Sequence, residues 1–275
     1  MNQPLTLMAV HAHPDDEASS TGGVLAAYSD QGVRTVVVTC TNGEFGDGPA
    51  GIKPGEEGHD TVDVAQTRIA ELREASKLLG VTDLELLGYH DSGMPEWEYR
   101  HSPDAFCNVP LEDVVDKIAG LIEQYRPQVV ITYDPDGAYQ HPDHVHAARA
   151  GIDAVNKTGI PAKLYLTAMR RSEWRKIFEA LREAGEDVPE WDMTEEEQRQ
   201  IIESEARITT EVDIRSVLDR KRDALMSHAS QITDSWFSKI PPDVVESAFG
   251  REFFILVQNR TQAPLPETDL FCGLR

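Results

Sequence analysis

The sequence predicts an α/β fold, a mostly parallel sheet with helices on both faces. Two observations carry that expectation. Strand-like apolar runs alternate with helical stripes over roughly the first 170 residues, and several of the runs are rich in β-branched side chains. Strand, helix, strand in that order is the pattern of parallel strands joined by crossover helices.

Leu5 to Val10 reads as a buried strand, and Ser19 to Asp30 as the helix after it. Arg34 to Thr41 is a second strand, running into the glycine-dense segment Asn42 to Gly58. Val62, Ala65, Ile69, Leu72 and Leu79 then recur at helical steps, the apolar stripe of a helix that stops at Gly80. Further strands are expected at Leu84 to Leu87, Val129 to Tyr133 and Lys163 to Ala168, with helices near Leu111 to Tyr125 and His144 to Val155. Beyond residue 170 the alternation stops. Ser172 to Glu205 reads as a helical insertion within a single domain spanning residues 1–275; its part from Glu186 to Glu205 holds nine acidic residues against one basic residue, Arg199. Such a segment is a solvated acidic face or a lid over the site. An amphipathic helix with Ile214, Val217, Leu218, Leu225 and His228 on one face follows, then a closing strand, Glu252 to Gln258.

Composition narrows the partners. The formal net charge of -22 repels phosphate backbones and anionic lipid, so neither nucleic acid nor a membrane is expected. Apolar runs such as Val36 to Val38 are far too short to span a bilayer, and Met1 to Leu7 lacks the character of a signal peptide. Cys40, Cys107 and Cys272 form an odd, scattered set. A reducing cytoplasm and a small-molecule substrate are the expectation; no feature speaks to oligomeric state.

Ligands of such a sheet bind beyond the carboxyl ends of its strands. Three polar clusters fall in those loops: His11 to Glu17, Thr41 to Gly48 and Asp134 to His144. In the first, His13-Pro-Asp-Asp16 spaces an imidazole and a carboxylate as metal ligands are spaced, although Asp15 or Asp16 could simply cap the following helix. His141-Pro-Asp-His144 repeats the pattern after another strand, and a parallel sheet brings the two loops to one edge. Two histidines, one carboxylate and an open position make a catalytic zinc site. His146, two residues after His144, would point elsewhere on a helix and is a weak ligand candidate.

The motifs His11-Ala-His-Pro-Asp-Asp-Glu17, Cys40-Thr-Asn-Gly-Glu44, Arg68-Ile-Ala-Glu71, Asp91-Ser-Gly93 and Tyr139-Gln-His-Pro-Asp-His144, with the segment Lys221 to Gln231, resemble the N-acetylglucosaminyl-phosphatidylinositol de-N-acetylase family. The likeness is strongest to its actinobacterial branch of mycothiol-pathway deacetylases and mycothiol conjugate amidases. It implies a Rossmann-like fold, one divalent metal per chain (zinc, or iron in the cell) held by His13, Asp16 and His144, and Asp15 as catalytic base. The chain departs from the conjugate-amidase pattern at Ala18-Ser-Ser20, where that branch tends to read Ser-Ser-Lys. The expected activity is hydrolysis of the amide of an N-acyl glucosamine, by deacetylase or amidase.

The chemistry supports these roles. Zinc polarises a carbonyl and lowers the pKa of water to about 7. Asp15 can take the water proton and return it to the leaving nitrogen, worth roughly 10² to 10⁴ in rate. His141, not needed as a ligand, could as a cation stabilise the oxyanion, and Tyr139 could add a hydrogen bond. Arg68 could bracket sugar hydroxyls or a phosphate, or pair with Glu71 at the surface. Asp91 could bind a sugar or form a turn, and His228 is either a pocket residue or a satisfied core histidine.

Two other classes were weighed. A metal-dependent phosphoesterase also uses His and Asp clusters at a sheet edge. A nucleotide-binding module is suggested only by Gly22-Gly23, and no Gly-x-Gly-x-x-Gly follows the first strand.

Overall fold

A computed structural model of the chain describes residues 4–136, 140–183, 185, 186, 188, 193–232 and 240–275. The strands β1 (Thr6–His11), β2 (Arg34–Thr41), β3 (Asp83–Tyr89), β4 (Val129–Thr132) and β5 (Lys163–Ala168) are joined through helices α1 (Asp16–Asp30), α2 (Thr61–Leu79), α3 (Leu111–Tyr125) and α4 (Pro142–Thr158). They form one sheet with β6 (Thr210–Asp213) and β7 (Arg251–Asn259), in the order β3-β2-β1-β4-β5-β7-β6. The first five strands are parallel; β7 runs antiparallel to β5 and β6 antiparallel to β7.

Each element has a local reason. β1 is buried along its whole length, so its residues point into two cores at once. Leu7, Ala9, Val37, Val129 and Ile131 face α1, α2 and the later helix α7 (Leu218–Ser227). Met8, Val10, Val36, Val38 and Val130 face α3 and α4. The α2 helix starts where the Asp60 carboxylate accepts the Val62 and Asp63 N–H groups and ends at Gly80, whose φ of 73° is left-handed. α4 starts at Pro142, with His141 as its cap, and also ends on a left-handed glycine, Gly159.

Strand order reverses between β1 and β4: the chain moves outward through β2 and β3, then returns to the other side of β1. The loops after β1 and β4 are therefore neighbours at the carboxyl edge. This is the crevice in which open α/β sheets bind ligands.

Two differences from expectation have physical causes. α1 begins at Asp16 and α4 at Pro142, earlier than the apolar stripes alone suggest, so Asp16 and His144 lie in first helical turns. β6 goes unsignalled because Thr-Glu-Val-Asp is four residues long with alternating burial, too short for a period of two to register. Gly22 and Gly23 are not a phosphate loop; they lie inside α1, where Gly23 faces Ile214 and Gly22 faces Lys221 and Leu79. The Glu252 carboxylate accepts the N–H groups of Gly23 and Val24, both at 2.8 Å, and the Lys221 ammonium at 2.6 Å.

In the acidic segment, α5 (Trp174–Glu183) buries Ile177 and Leu181 against Ile240 and helix α9 (Pro242–Phe249), which follows the single turn α8 (Ala229–Ile232). α6 (Glu195–Glu205) has no buried residue, as a solvated face requires. Residues 184, 187 and 189–192 of this segment lie outside the described residues. Ser172 ties its two ends together by donating from backbone and hydroxyl to Glu205, at 2.7 and 2.8 Å. At the sheet's far side, Lys163 is fully buried, and its ammonium donates to Glu267 at 2.5 Å while the Tyr165 hydroxyl donates to the other oxygen of the same carboxylate. Among the described residues no helix is long and apolar enough to cross a membrane.

A β-carbon at Gly23 would stand 2.7 to 2.8 Å from three carbons of Ile214. Gly23→Ala should therefore destabilise the fold by about 1–3 kcal/mol through overpacking, read as a lower urea midpoint at unchanged slope. An unchanged midpoint would show that α1 can shift away from Ile214 without penalty.

Candidate metal centre and active site

His13, Asp16 and His144 come together from the loop after β1, the first turn of α1 and the first turn of α4. His13 Nδ1 faces His144 Nε2 at 3.2 Å and Asp16 Oδ2 at 3.5 Å, and His144 Nε2 lies 3.4 Å from Asp16 Oδ1. Donors about 2.1 Å from a tetrahedral cation stand about 3.4 Å from one another. His13 Nδ1 and His144 Nε2 stand at that spacing, Asp16 turns one carboxylate oxygen to each of them, and all three residues are buried.

The surrounding groups aim these donors. His13 Nε2 lies 3.1 Å from Asp143 Oδ2, and that carboxylate is itself held by the Ser92 N–H at 2.9 Å and by the Ser92 hydroxyl. A carboxylate on the far nitrogen fixes the ring and turns Nδ1 toward the metal position. Asp16 Oδ2 accepts the Tyr133 hydroxyl at 2.7 Å and the His13 N–H at 2.8 Å, and the Tyr133 ring stacks on His144 with centroids 4.3 Å apart.

Charge converges on the same point. Burial works against protonated His13, but Asp91, Asp143 and Asp16 outweigh it and hold its pKa well above the ordinary value. Burial draws the His144 ring down to about 4 against the pull of Asp16, which leaves it neutral. Asp16 is held well below the carboxylate range: the two histidines overcome its burial. A centre ringed by carboxylates suits a cation.

Asp15 adopts φ 130°, ψ -24°, a conformation that costs a residue with a side chain about 1–3 kcal/mol. Its carboxylate accepts from Arg68 Nη2 at 3.0 Å, and its N–H donates to Glu17 Oε2 at 3.1 Å. Burial pushes the Asp15 carboxyl up, Arg68 pulls it partly back, and it rests at about 6. Arg68 also donates to the carbonyls of Gly43 and Pro14, each at 2.7 Å. Gly43, at φ 68°, would place a β-carbon 2.5 Å from that guanidinium, so glycine is required there.

One of the two readings of Arg68 is corrected by this geometry. It does not pair with Glu71 at the surface, since Glu71 accepts from the Ser230 N–H and hydroxyl at 2.8 and 2.7 Å. It borders the cleft with its guanidinium engaged by two loop carbonyls and Asp15.

A cleft of about 460 Å³ opens over these groups, with His13, Asp15, Asp16, Asp91 and His141 on its floor and Phe45, Met94 and Trp97 on its wall. Phe45 packs against Tyr99 at 4.2 Å between centroids. A slightly larger cleft, about 520 Å³, is lined by Tyr28, Arg215 and Arg251 and contains none of the candidate ligands. Chemistry, not size, marks the first as the site.

The remaining sequence candidates fall unevenly. His141 lines the cleft and brings a ring nitrogen within 4.8 Å of those of His13 and His144. The cationic form expected of it is not favoured: its Nδ1 accepts the Asp143 N–H at 3.2 Å, and burial, with His13 and His144, draws its pKa down to about 3. Asp91 forms the expected turn, accepting the Gly93 N–H at 2.8 Å, and still borders the cleft. His13 holds the Asp91 carboxyl low despite its burial. His228 has no exposed surface and bonds Glu17 at 2.7 Å; it is the core histidine and not a pocket residue. His146 packs on Phe106, 4.9 Å between centroids, apart from the ligand group. Tyr139 lies outside the described residues.

Asp143, Tyr133, Glu17 and Gln231 are additions. Asp143 carried a readable signal, a carboxylate beside a ligand histidine in a loop that meets another ligand loop. Tyr133 and Gln231 had none, because their partners, Asp16 and Asp47, are distant in sequence.

Comparison with known proteins places the chain among relatives. Residues 8–155 match the model of the family described as PIG-L, GlcNAc-PI de-N-acetylase. The 1D-myo-inositol 2-acetamido-2-deoxy-alpha-D-glucopyranoside deacetylase of Acidothermus cellulolyticus is 39% identical over 278 residues, covering 98% of this chain and 95% of that protein. Among solved structures, the N,N'-diacetylchitobiose deacetylase of Pyrococcus horikoshii superposes with a TM-score of 0.61 at 20% identity, covering 92% of this chain and 84% of that one. The 4-carboxy-2-hydroxymuconate hydratase GalB of Pseudomonas putida does so at 0.59 and 18%, covering 95% and 99%. At such identities these likenesses speak for the fold, which carries more than one chemistry. With a family model spanning over half its length and a full-length relative at 39% identity, the chain belongs to the GlcNAc-PI de-N-acetylase (PIG-L) family.

Proposed function

We propose that this chain is a metal-dependent N-deacetylase that hydrolyses the acetamide of an N-acetylglucosaminyl compound, releasing acetate and a free amine. The observation that carries the reading is the buried cluster in which His13 Nδ1 stands 3.2 Å from His144 Nε2 and each ring meets one oxygen of Asp16, at 3.5 and 3.4 Å, with Asp15 beside it on the cleft. The relatives' names favour the pseudodisaccharide of glucosamine and inositol as substrate, and deacetylation over conjugate cleavage.

His13, Asp16 and His144 would hold the metal, zinc or cellular iron. When bound, a divalent metal polarises the amide carbonyl and brings the pKa of water to about 7. Asp15, held at the cleft by Arg68, takes a proton from the attacking water and delivers it to the departing nitrogen. His141, as a neutral ring with Nδ1 occupied, presents Nε2–H to the carbonyl oxygen as charge gathers there. Tyr139 is the candidate for a second donor. Asp91 offers a carboxylate to sugar hydroxyls, and Phe45 and Trp97 offer ring faces to the apolar side of a sugar or cyclitol. Arg68 serves the reaction by holding Asp15.

The phosphoesterase alternative has less support. Arg68 and Lys53, the cations bordering the cleft, are paired with Asp15 and Asp47 at 3.0 and 2.6 Å. Amine release from a panel of N-acetylglucosaminyl substrates, against phosphate release from phosphomonoesters, tests the choice; phosphate release alone would overturn the proposal.

His13→Ala, Asp16→Ala and His144→Ala should each lose most of the metal that the unaltered protein retains on dialysis, measured by elemental analysis. Full occupancy in all three would remove the assignment. Asp15→Ala should keep its metal and lose roughly 10² to 10⁴ in kcat; near-normal turnover would place the proton transfer elsewhere. His141→Ala should likewise keep its metal and lose on the order of 10² in kcat. Loss of metal instead would make His141 a ligand.

A further inference from the structure

The backbone of Asp15 needs restraint, because its φ of 130° is one that a residue with a side chain rarely adopts. Arg68 holds the Pro14 carbonyl and the Asp15 carboxylate. The Asp15 N–H is held by Glu17, whose second oxygen is engaged by His228. We propose that His228 is a positioning residue for the hydrolysis: through Glu17 it keeps Asp15 in the strained conformation that presents its carboxylate to the cleft.

Glu17 and His228 have no exposed surface, so neither can touch a molecule in the cleft. Each Glu17 oxygen has one task, Oε1 to His228 Nε2 at 2.7 Å and Oε2 to the Asp15 N–H at 3.1 Å. Removing the imidazole leaves a buried carboxylate short of a partner, and such a group turns toward whatever donor or water it can reach. The Asp15 N–H then loses its acceptor, and of the groups that hold the strained residue Arg68 is left without Glu17. Burial disfavours protonated His228, but Glu17, Asp15 and Glu71 outweigh it and raise its pKa, in keeping with an ionised pair.

The same turn braces other parts of the cleft. Ser230 holds Glu71 of α2. Gln231 clasps the Asp47 backbone, accepting its N–H at 3.2 Å and donating to its carbonyl at 3.1 Å. A segment more than 200 residues beyond Asp15 thus fixes its setting.

The proposal rests on Asp15 as the base, and a double-mutant cycle separates the two. With an N-acetylglucosaminyl substrate, His228→Ala should keep its metal and hold KM within about twofold, while kcat falls on the order of tenfold or more, as small misplacements of a catalytic group do. His228→Gln, whose amide can still donate to Glu17, should recover part of that loss. In the Asp15→Ala background, His228→Ala should remove nothing further. Ser227→Ala, a control one residue away whose hydroxyl donates to the Ala224 carbonyl of its own helix, should leave kcat unchanged. An equal fold-loss in both backgrounds, or an unchanged kcat in His228→Ala, overturns the positioning role. Normal turnover in Asp15→Ala alone instead overturns the base. If His228→Ala does not fold, the cycle is run with His228→Asn, whose amide is too short to reach Glu17, and the same outcomes decide.

Discussion

The site is organised around one buried imidazole drawn between carboxylates. His13 meets Asp16 on one nitrogen and Asp143, with Asp91 behind it, on the other. Bringing several buried anions together is unfavourable unless positive charge stands among them. A protonated ring can supply it, and a divalent cation supplies more. The hydrogen bonds from Ser92 and Tyr133 into those carboxylates keep the anions apart and oriented. The same arrangement makes the centre selective for a cation within a strongly acidic chain.

The sheet makes this convergence possible. His13 follows β1, Asp143 and His144 open α4 after β4, and Asp91 and Ser92 follow β3. Side chains about 130 positions apart meet because β1 and β4 are hydrogen-bonded neighbours where strand order reverses. Precision then comes from helix starts: Asp16 and His144 occupy first turns, where backbone geometry is rigid and α1 begins on acidic residues that suit its N-terminal dipole.

Legibility in the sequence followed the range of the interactions. Arg34 to Thr41, Leu111 to Tyr125 and Lys163 to Ala168 were readable to the residue because propensity and pattern are local. His13, Asp16 and His144 were readable as a group because each motif is a few residues long and the fold class says where its loop lies. The charge of His141 was not readable: it depends on a cap to Asp143 and on two neighbouring rings. Arg68 and His228 each kept two readings for the same reason, since their partners, the Gly43 carbonyl and Glu17, are defined only once loops are packed. β6 was missed because an edge strand of four residues has too little pattern to see.

The buried Lys163 ties two distant stretches of the chain together. Its countercharge, Glu267, stands 104 positions further on, and between them β7 pairs with β5 along its whole length. An ammonium taken out of water without an anion is costly, so β5 rests in place only with Glu267 packed beside it. Loss of that one contact would loosen the flank of the parallel sheet, where an uncovered strand edge invites pairing with other chains.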